Sequence, residues 1–284
     1  MKFYSKLVFL KYKLMENFCY FISCLCKGNL KFIKWKIESK RKPNWVELPI
    51  DITRMILKKL HVLDFILNAQ YVCCEWRNIC KDPLMWCTIK MAYVWINTDR
   101  RLYLSLLNKI CRYVIDLSAG HLNHIFIYEF GDNNLLEYIV NSSNEIRILG
   151  LKYCSIEEKK LNVYEFAKKL PQLNELSVSY CAEISKDFLE AIGICCPRIT
   201  KLILCKWLHK NGEIDEDAFA IAKNMPQLTY LHLDGIKITN VGLLAILDGC
   251  PHLKWLHILV CPCLNLKGSL LQRCRQQIKY FHFD

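Results

Sequence analysis

No stretch of this 284-residue chain reads G-x-x-x-x-G-K-[ST], G-x-S-x-G, H-E-x-x-H or G-x-G-x-x-G. Nucleotide-binding, serine-hydrolase, zincin and dinucleotide readings therefore lack their minimal parts. Paired C-x-x-C spacing is also missing: Cys73-Cys74, Cys195-Cys196 and Cys261-x-Cys263 do not make a zinc finger. In the first 42 residues the longest uncharged run, Asn17 to Cys26, is half the length of about 20 residues that a membrane-spanning helix needs. The formal charge of +12 is not spread over the chain. Residues 1–42 hold eleven Lys/Arg against Glu16 and Glu38, whereas residues 43–284 carry 28 basic and 25 acidic side chains. A nearly balanced body gives no electrostatic footprint for nucleic acid.

What the chain has is apolar substance: 53% hydrophobic and 12% aromatic residues, enough for one large domain or two unequal ones. Its 17 cysteines are odd in number and scattered through apolar segments, and no signal-peptide cleavage pattern is clear. A reducing compartment, cytoplasmic and/or nuclear, is expected, with the cysteines acting as small buried hydrophobes. Residues 1–42 form a basic extension, expected to be disordered. A lipid-accepting or membrane-surface role through Cys19, Cys24 and Cys26 is the other reading, and a membrane partner is not assigned.

Residues 44–91 read as a small helical module. Pro49 stands in the first turn of a helix over 50–60, with Ile52, Met55, Ile56, Leu57 and Leu60 at spacings of three and four. Asp64 is placed to cap a second helix running through Leu67 to Val72. A third, Glu75 to Cys80, is closed by Asp82-Pro83. So small a bundle cannot bury Leu48, Pro49, Ile56, Leu57, Val72 and Trp76 together, and some of them should face a partner.

The series Trp45-Val46-Glu47-Leu48-Pro49, Ile56-Leu57-x-x-Leu60, Val72-Cys73-x-x-Trp76-Arg77 and Asp82-Pro83-Leu84-x-Trp86 resembles the F-box in order and spacing. The resemblance implies docking onto the Skp-type adaptor of a Skp–cullin–F-box ubiquitin ligase. The adaptor-binding residues it implies are Leu48, Pro49, Ile52, Ile56, Leu57, Leu60, Val72 and Trp76.

The rest of the chain repeats. Leu122, Ile146, Leu173, Ile199, Leu228, Leu253 and Ile278 each open an apolar-x-x-apolar-x-apolar strand: LNHIFI, IRILGL, LNELSV, ITKLIL, LTYLHL, LKWLHI and IKYFHF. Cys154, Cys181 and Cys261 follow three residues after the last apolar position, with Phe130, Trp207 and Ile236 in other copies, where leucine-rich repeats fill the turn. Ser185, Asp215 and Thr239 are expected helix N-caps, and Pro171, Pro197, Pro226 and Pro251 end helices before the next strand. Trp86-x-x-Ile89-x-Met91 is placed to supply a first, degenerate strand. The register is weak over Leu102–Arg112, and KWLHKNGE (206–213) reads as an insertion.

This pattern resembles the cysteine-containing leucine-rich-repeat array of small plant F-box proteins. The expected fold class is α/β: an N-terminal three-helix F-box over 43–91, then a curved solenoid of about seven repeats over 92–284, with a parallel sheet on its concave face. In each strand the intervening residues face outward. They form three columns: His124, Ile148, Glu175, Lys201, Tyr230, Trp255, Tyr280; then Phe126, Gly150, Ser177, Ile203, His232, His257, His282; then Tyr128, Lys152, Ser179, Cys205, Asp234, Leu259, Asp284. Aromatics and histidines gather at the C-terminal end, so Tyr230, His232, Asp234, Trp255, His257, Tyr280 and His282 form the candidate substrate patch. The histidine row could hold zinc or give a pH-dependent contact, but solenoids stack like residues routinely, and no metal or cofactor is assigned.

The expected function follows from the resemblance. It is a non-catalytic, substrate-recognition subunit of the ligase, binding a Skp-type adaptor, and through it a cullin, by the F-box and an unidentified protein substrate by the repeats. The alternative is a repeat scaffold that does not assemble with a cullin. A small-molecule receptor would need a longer array.

Overall fold

The computed structural model describes residues 48–92, 100–181, 184–207 and 214–284. The expectations for residues 1–42 and for Trp45, Val46 and Glu47 fall outside them. Two compact units are distinguished, one comprising residues up to 60 together with 64–80, the other 61–63 and 81–284.

In the first unit, α1 (Ile50–Leu57) starts from Pro49, whose extended backbone at φ −54°, ψ 141° makes it the N-cap rather than a residue of the first turn. Its carbonyl accepts from both the amide and the hydroxyl of Thr53. Asp64 does not cap: α2 is Val62–Leu67, so Asp64 sits inside its first turn, and the chain then tightens into a 3-10 turn over Ala69–Tyr71. The reason is local. His61 Nδ1 accepts from the Leu63 amide at 3.4 Å, supplying an earlier start. The third helix, α3, is Cys74–Lys81.

The second unit is built on one eight-stranded parallel sheet in sequence order: β1 (Thr88–Ala92), β2 (His124–Tyr128), β3 (Ile148–Lys152), β4 (Glu175–Ser179), β5 (Lys201–Cys205), β6 (Tyr230–Asp234), β7 (Trp255–Leu259) and β8 (Tyr280–Phe283). All seven expected strands are present, and the degenerate segment does supply an eighth at the N-terminal end. The pairing register sets His124 against Ile148, Ile148 against Glu175, and so on to Trp255 against Tyr280, which reproduces the three outward columns except for Asp284, which lies past the end of β8. Inward residues such as Ile125, Leu149, Leu176, Leu202, Leu231 and Leu256 are fully buried. Each contributes about 1.5–3 kcal/mol of apolar burial that no isolated repeat could realise. At β8, with no ninth strand among the described residues, the inward Phe283 is exposed.

The segment where the register is weak is α4 (Arg100–Leu117), an 18-residue helix. Tyr103, Leu107, Ile110, Cys111 and Val114 are buried along it at helical spacings of three and four. The later helices are α5 (Asn133–Ser142), α6 (Val163–Lys168), α7 (Lys186–Cys195), α8 (Glu216–Asn224), α9 (Asn240–Gly249) and α10 (Gly268–Gln277).

Two backbone ladders tie the repeats at the strand ends. Before each of β1 to β6 one carbonyl takes two amides of the next repeat, as Arg147 does from Asn174 and Glu175, and Thr229 from Lys254 and Trp255. After β2, β3, β4, β6 and β7 the chain turns left-handed, at Glu129, Tyr153, Tyr180, Gly235 and Val260. Four of these residues, Glu129, Tyr153, Tyr180 and Gly235, donate their amides to the final strand residue of the following repeat. The conformation suits glycine, and a Cβ on Gly235 would also come within 2.2 Å of the Lys206 carbonyl oxygen. At Glu129, Tyr153 and Tyr180 the donated bond offsets a strain on the order of 1 kcal/mol.

Side chains add a second set of staples. Ser185 and Thr239 cap α7 and α9 as expected, accepting from the Asp187 and Val241 amides. Each cap is in turn held by an acid of the preceding repeat. Glu158 accepts from the Ser185 amide at 2.7 Å and hydroxyl at 2.5 Å, and Asp215 from the Thr239 amide at 2.6 Å and hydroxyl at 2.5 Å. Asp215 stands at the N-cap of α8, but its side chain does not cap that helix. Its φ of 65° turns the carboxylate toward Thr239 instead. Cysteines serve the same end: the Cys196 and Cys250 thiols donate to the Ala167 and Met225 carbonyls one repeat earlier, and burial pushes both up to about 12. They are thiols at neutral pH, as small buried donors should be. All cysteines among the described residues are free.

Asp215→Ala strips the Thr239 amide and hydroxyl of their acceptor, and we expect a loss of about 2 kcal/mol in urea unfolding with little change in m. An unchanged midpoint would show that the acid does not staple the repeats.

Candidate functional site

The first candidate surface lies on α1. Thr53 and Leu57, four residues apart, are buried. Leu57 was expected to bind the adaptor, and at 0% exposure it is a core residue instead. Ile52, Met55 and Ile56 lie within roughly 100° of helical arc on another side, where Met55 is 65% exposed and the two isoleucines are partly so. Pro49 is exposed, and Leu48, Leu60, Val72 and Trp76 are partly buried. Sequence reasoning omitted Met55 and the exposed Ile50 from this set, although Met55 shares the three-and-four spacing that selected its neighbours.

The second is the open face of the sheet toward its C-terminal end, where strand register brings all seven expected patch residues together. Trp255 stacks on Tyr280 with ring centroids 3.6 Å apart, and Tyr230 lies 6.3 Å from Trp255 and 5.7 Å from His257. The histidines follow in a row, His232 to His257 at 5.9 Å and His257 to His282 at 5.8 Å. Trp255 and Tyr280 are exposed, while Tyr230, His232 and His257 are half-buried. Apolar rings held rigidly by cross-strand stacking lose little entropy when a partner covers them.

A third feature was not foreseen. Tyr153 and Tyr180 occupy equivalent left-handed positions after β3 and β4, and their rings stack at 5.4 Å. Trp207 was expected to fill the turn as cysteine does in other copies. It is instead 48% exposed and packs against Tyr180 at 4.9 Å. The equivalent turn sites hold Phe130, Cys154, Cys181, Ile236 and Cys261 buried. The signal lay in the sequence as aromatics directly after two successive strands.

Electrostatically the face is mixed. Lys201 pairs with Glu175 at 3.0 Å and lies over Tyr230 at 5.0 Å, and Tyr180 donates to Asp234 at 2.6 Å. Burial holds His232 below the usual histidine range, helped by His257 and opposed by Asp234. His124 is likewise lowered, by burial first and then by Arg147.

With this geometry in place, likeness to known proteins can be set beside it. The F-box domain model matches residues 45–88. Putative F-box/LRR-repeat protein 22 of Arabidopsis thaliana is 40% identical over 250 residues, covering 86% of this chain and 78% of that protein. The chain belongs to the F-box/LRR-repeat proteins. F-box protein SKIP19 of the same plant is 40% identical over 243 residues, again 86% and 78% of the two chains. Putative F-box/LRR-repeat protein 23 is 39% identical over 247 residues, and this chain spans 54% of its length. Among solved structures, an internalin from Listeria monocytogenes aligns over 59% of the chain at 13% identity and a TM-score of 0.35.

For this F-box/LRR-repeat protein His124 should not titrate as a free imidazole does. His124, with its folded pKa lowered, favours the folded state above the ordinary value of 6.5, and that contribution is lost as pH falls through and below it. An NMR titration should place the His124 midpoint below that of a histidine peptide; a midpoint at or above the peptide's contradicts the burial argument.

Proposed function

We propose that this protein is the substrate-recognition subunit of a Skp–cullin–F-box E3 ubiquitin ligase. In this reading the F-box takes a Skp-type adaptor, and through it a cullin, while the repeat sheet takes a protein substrate. The observation that carries the proposal is the F-box match over 45–88 together with α1, which keeps Ile52, Met55 and Ile56 at least partly uncovered. Such a set would be sheathed by a partner of complementary apolar surface. Pro49, Leu48, Leu60, Val72 and Trp76 complete the docking surface, with Leu57 supporting it from the core.

The chain forms no bond itself in this account. Its contribution is to raise the effective concentration of substrate beside a ubiquitin-charged enzyme. The stacked Tyr230, Trp255 and Tyr280 rings, flanked by His232, His257 and His282 with Asp234 at the margin, are the substrate contacts. Exposed aromatics on a rigid sheet are the residue types from which binding hot spots are made. Residence in the cytoplasm or nucleus suits a chain whose described cysteines are all free thiols.

One experiment separates the two surfaces. Leu48→Ala with Pro49→Ala should weaken capture of a purified Skp-type adaptor by about 2 kcal/mol, some 30-fold, while leaving substrate capture unchanged. Tyr230→Ala with Trp255→Ala should do the reverse. Adaptor binding that ignores the first pair, or a tagged chain that never brings down a cullin, would favour the scaffold alternative.

A further inference from the structure

The open face also carries a cluster that joins two residues of the proposed substrate patch, His232 and Asp234, to a cysteine outside it, Cys205. Cys205 ends β5, Asp234 is its direct partner across the strand pair, and His232 lies two residues before Asp234 on the same face of β6. One ligand atom from each, the sulfur, an imidazole nitrogen and a carboxylate oxygen, all lie within 4.8 Å of one another. Their surroundings are organised to orient them. Tyr180 donates to Asp234 Oδ2 at 2.6 Å, leaving Oδ1 to turn elsewhere, and the Ser179 side chain hydrogen-bonds Cys205. Burial pushes the Cys205 thiol up, and Asp234 adds to that, while the Ser179 hydrogen bond and Lys152 oppose it.

We propose that Cys205, His232 and Asp234 form a three-ligand site for Zn2+ on the open face of the sheet, with the fourth coordination position left to water or to a side chain of a bound partner. One sulfur, one nitrogen and one oxygen suit a borderline divalent cation and not Ca2+ or Mg2+, which take oxygen sets. A thiolate and a carboxylate beside a neutral imidazole supply two negative charges for the ion's two positive ones. Zinc bonds of 2.0–2.3 Å set tetrahedral ligands about 3.5 Å apart. Side-chain rotation closes the remaining ångström, because the three Cα positions are already fixed by the β5–β6 pairing. The Tyr180 and Ser179 contacts are the outer shell that such a site requires. Thiol deprotonation accompanies binding, with the proton released to solvent. The inference stands whether or not the chain docks an adaptor.

The test uses the full chain with thiols reduced and metal removed, titrated with Co2+ as a spectroscopic probe and then with Zn2+ in competition. We expect one ion per chain at this site and a sulfur-to-cobalt charge-transfer band that Zn2+ abolishes. Cys205→Ser removes the band, whereas Cys74→Ser and Cys263→Ser, at exposed cysteines, leave it intact. His232→Gln and Asp234→Asn each weaken affinity at least tenfold. Tyr180→Phe, which frees Asp234 without touching the ion, weakens it by about tenfold. Circular dichroism establishes that each variant is folded, and should Cys205→Ser fail to fold, the His232 and Asp234 variants decide the matter by the same titration. A band that survives in Cys205→Ser, equal affinity in the folded His232 and Asp234 variants, or a parent chain that binds no Zn2+ overturns the site.

Discussion

A five-residue strand and one short helix cannot bury their own apolar sides. Everything in the repeat unit answers to that constraint. Each copy must lay its inward Leu or Ile against the next copy's, and parallel pairing in sequence order is the arrangement that lets the same residue positions meet at every step. Fixed register is the consequence, since a slip of one residue would turn the buried column to solvent. The carbonyls that take two amides, the left-handed residues after the strands, and the acids that hold the next repeat's caps all enforce one spacing.

That fixed spacing turns the opposite face into a readable surface. Residues separated by 24 to 36 positions in the chain become cross-strand neighbours, so chemistry accumulates in columns: rings on rings toward the C-terminal strands, and a thiol, an imidazole and a carboxylate where β5 meets β6. Binding groups on such a sheet are held by backbone pairing rather than by loops, which favours preorganised recognition. The F-box achieves exposure by a different route. Its first helix is short, its inward side is spent on Thr53 and Leu57, and the neighbouring apolar residues have little of their own unit left to cover them.

Much of this was legible in the sequence because the inward pattern is strict. Seven strands, their register and all three outward columns follow from placing Leu122 and its equivalents in line. What escaped notice did so for physical reasons. The helix α4 carries Tyr103, Leu107 and Val114 at helical spacing but opens on charged residues and lies before the first regular repeat. Asp64 has the chemistry of a cap, yet His61 provides an earlier one. Leu57 fits the F-box pattern as well as Ile56 does, and only helical phase separates core from surface. Trp207 shares a position with buried cysteines, yet it stays exposed and packs on the Tyr180 ring. Cys205 and Asp234 stood in one column and His232 in the next, so their convergence was visible only when neighbouring columns were read together.

The account stands or falls on where an adaptor lands. Hydrogen–deuterium exchange of the full chain with and without a purified Skp-type adaptor reads this directly. Protection is predicted over residues 48–60 and 72–76, with β2 through β8 unchanged. Protection confined to the strands, or none at all, would contradict it.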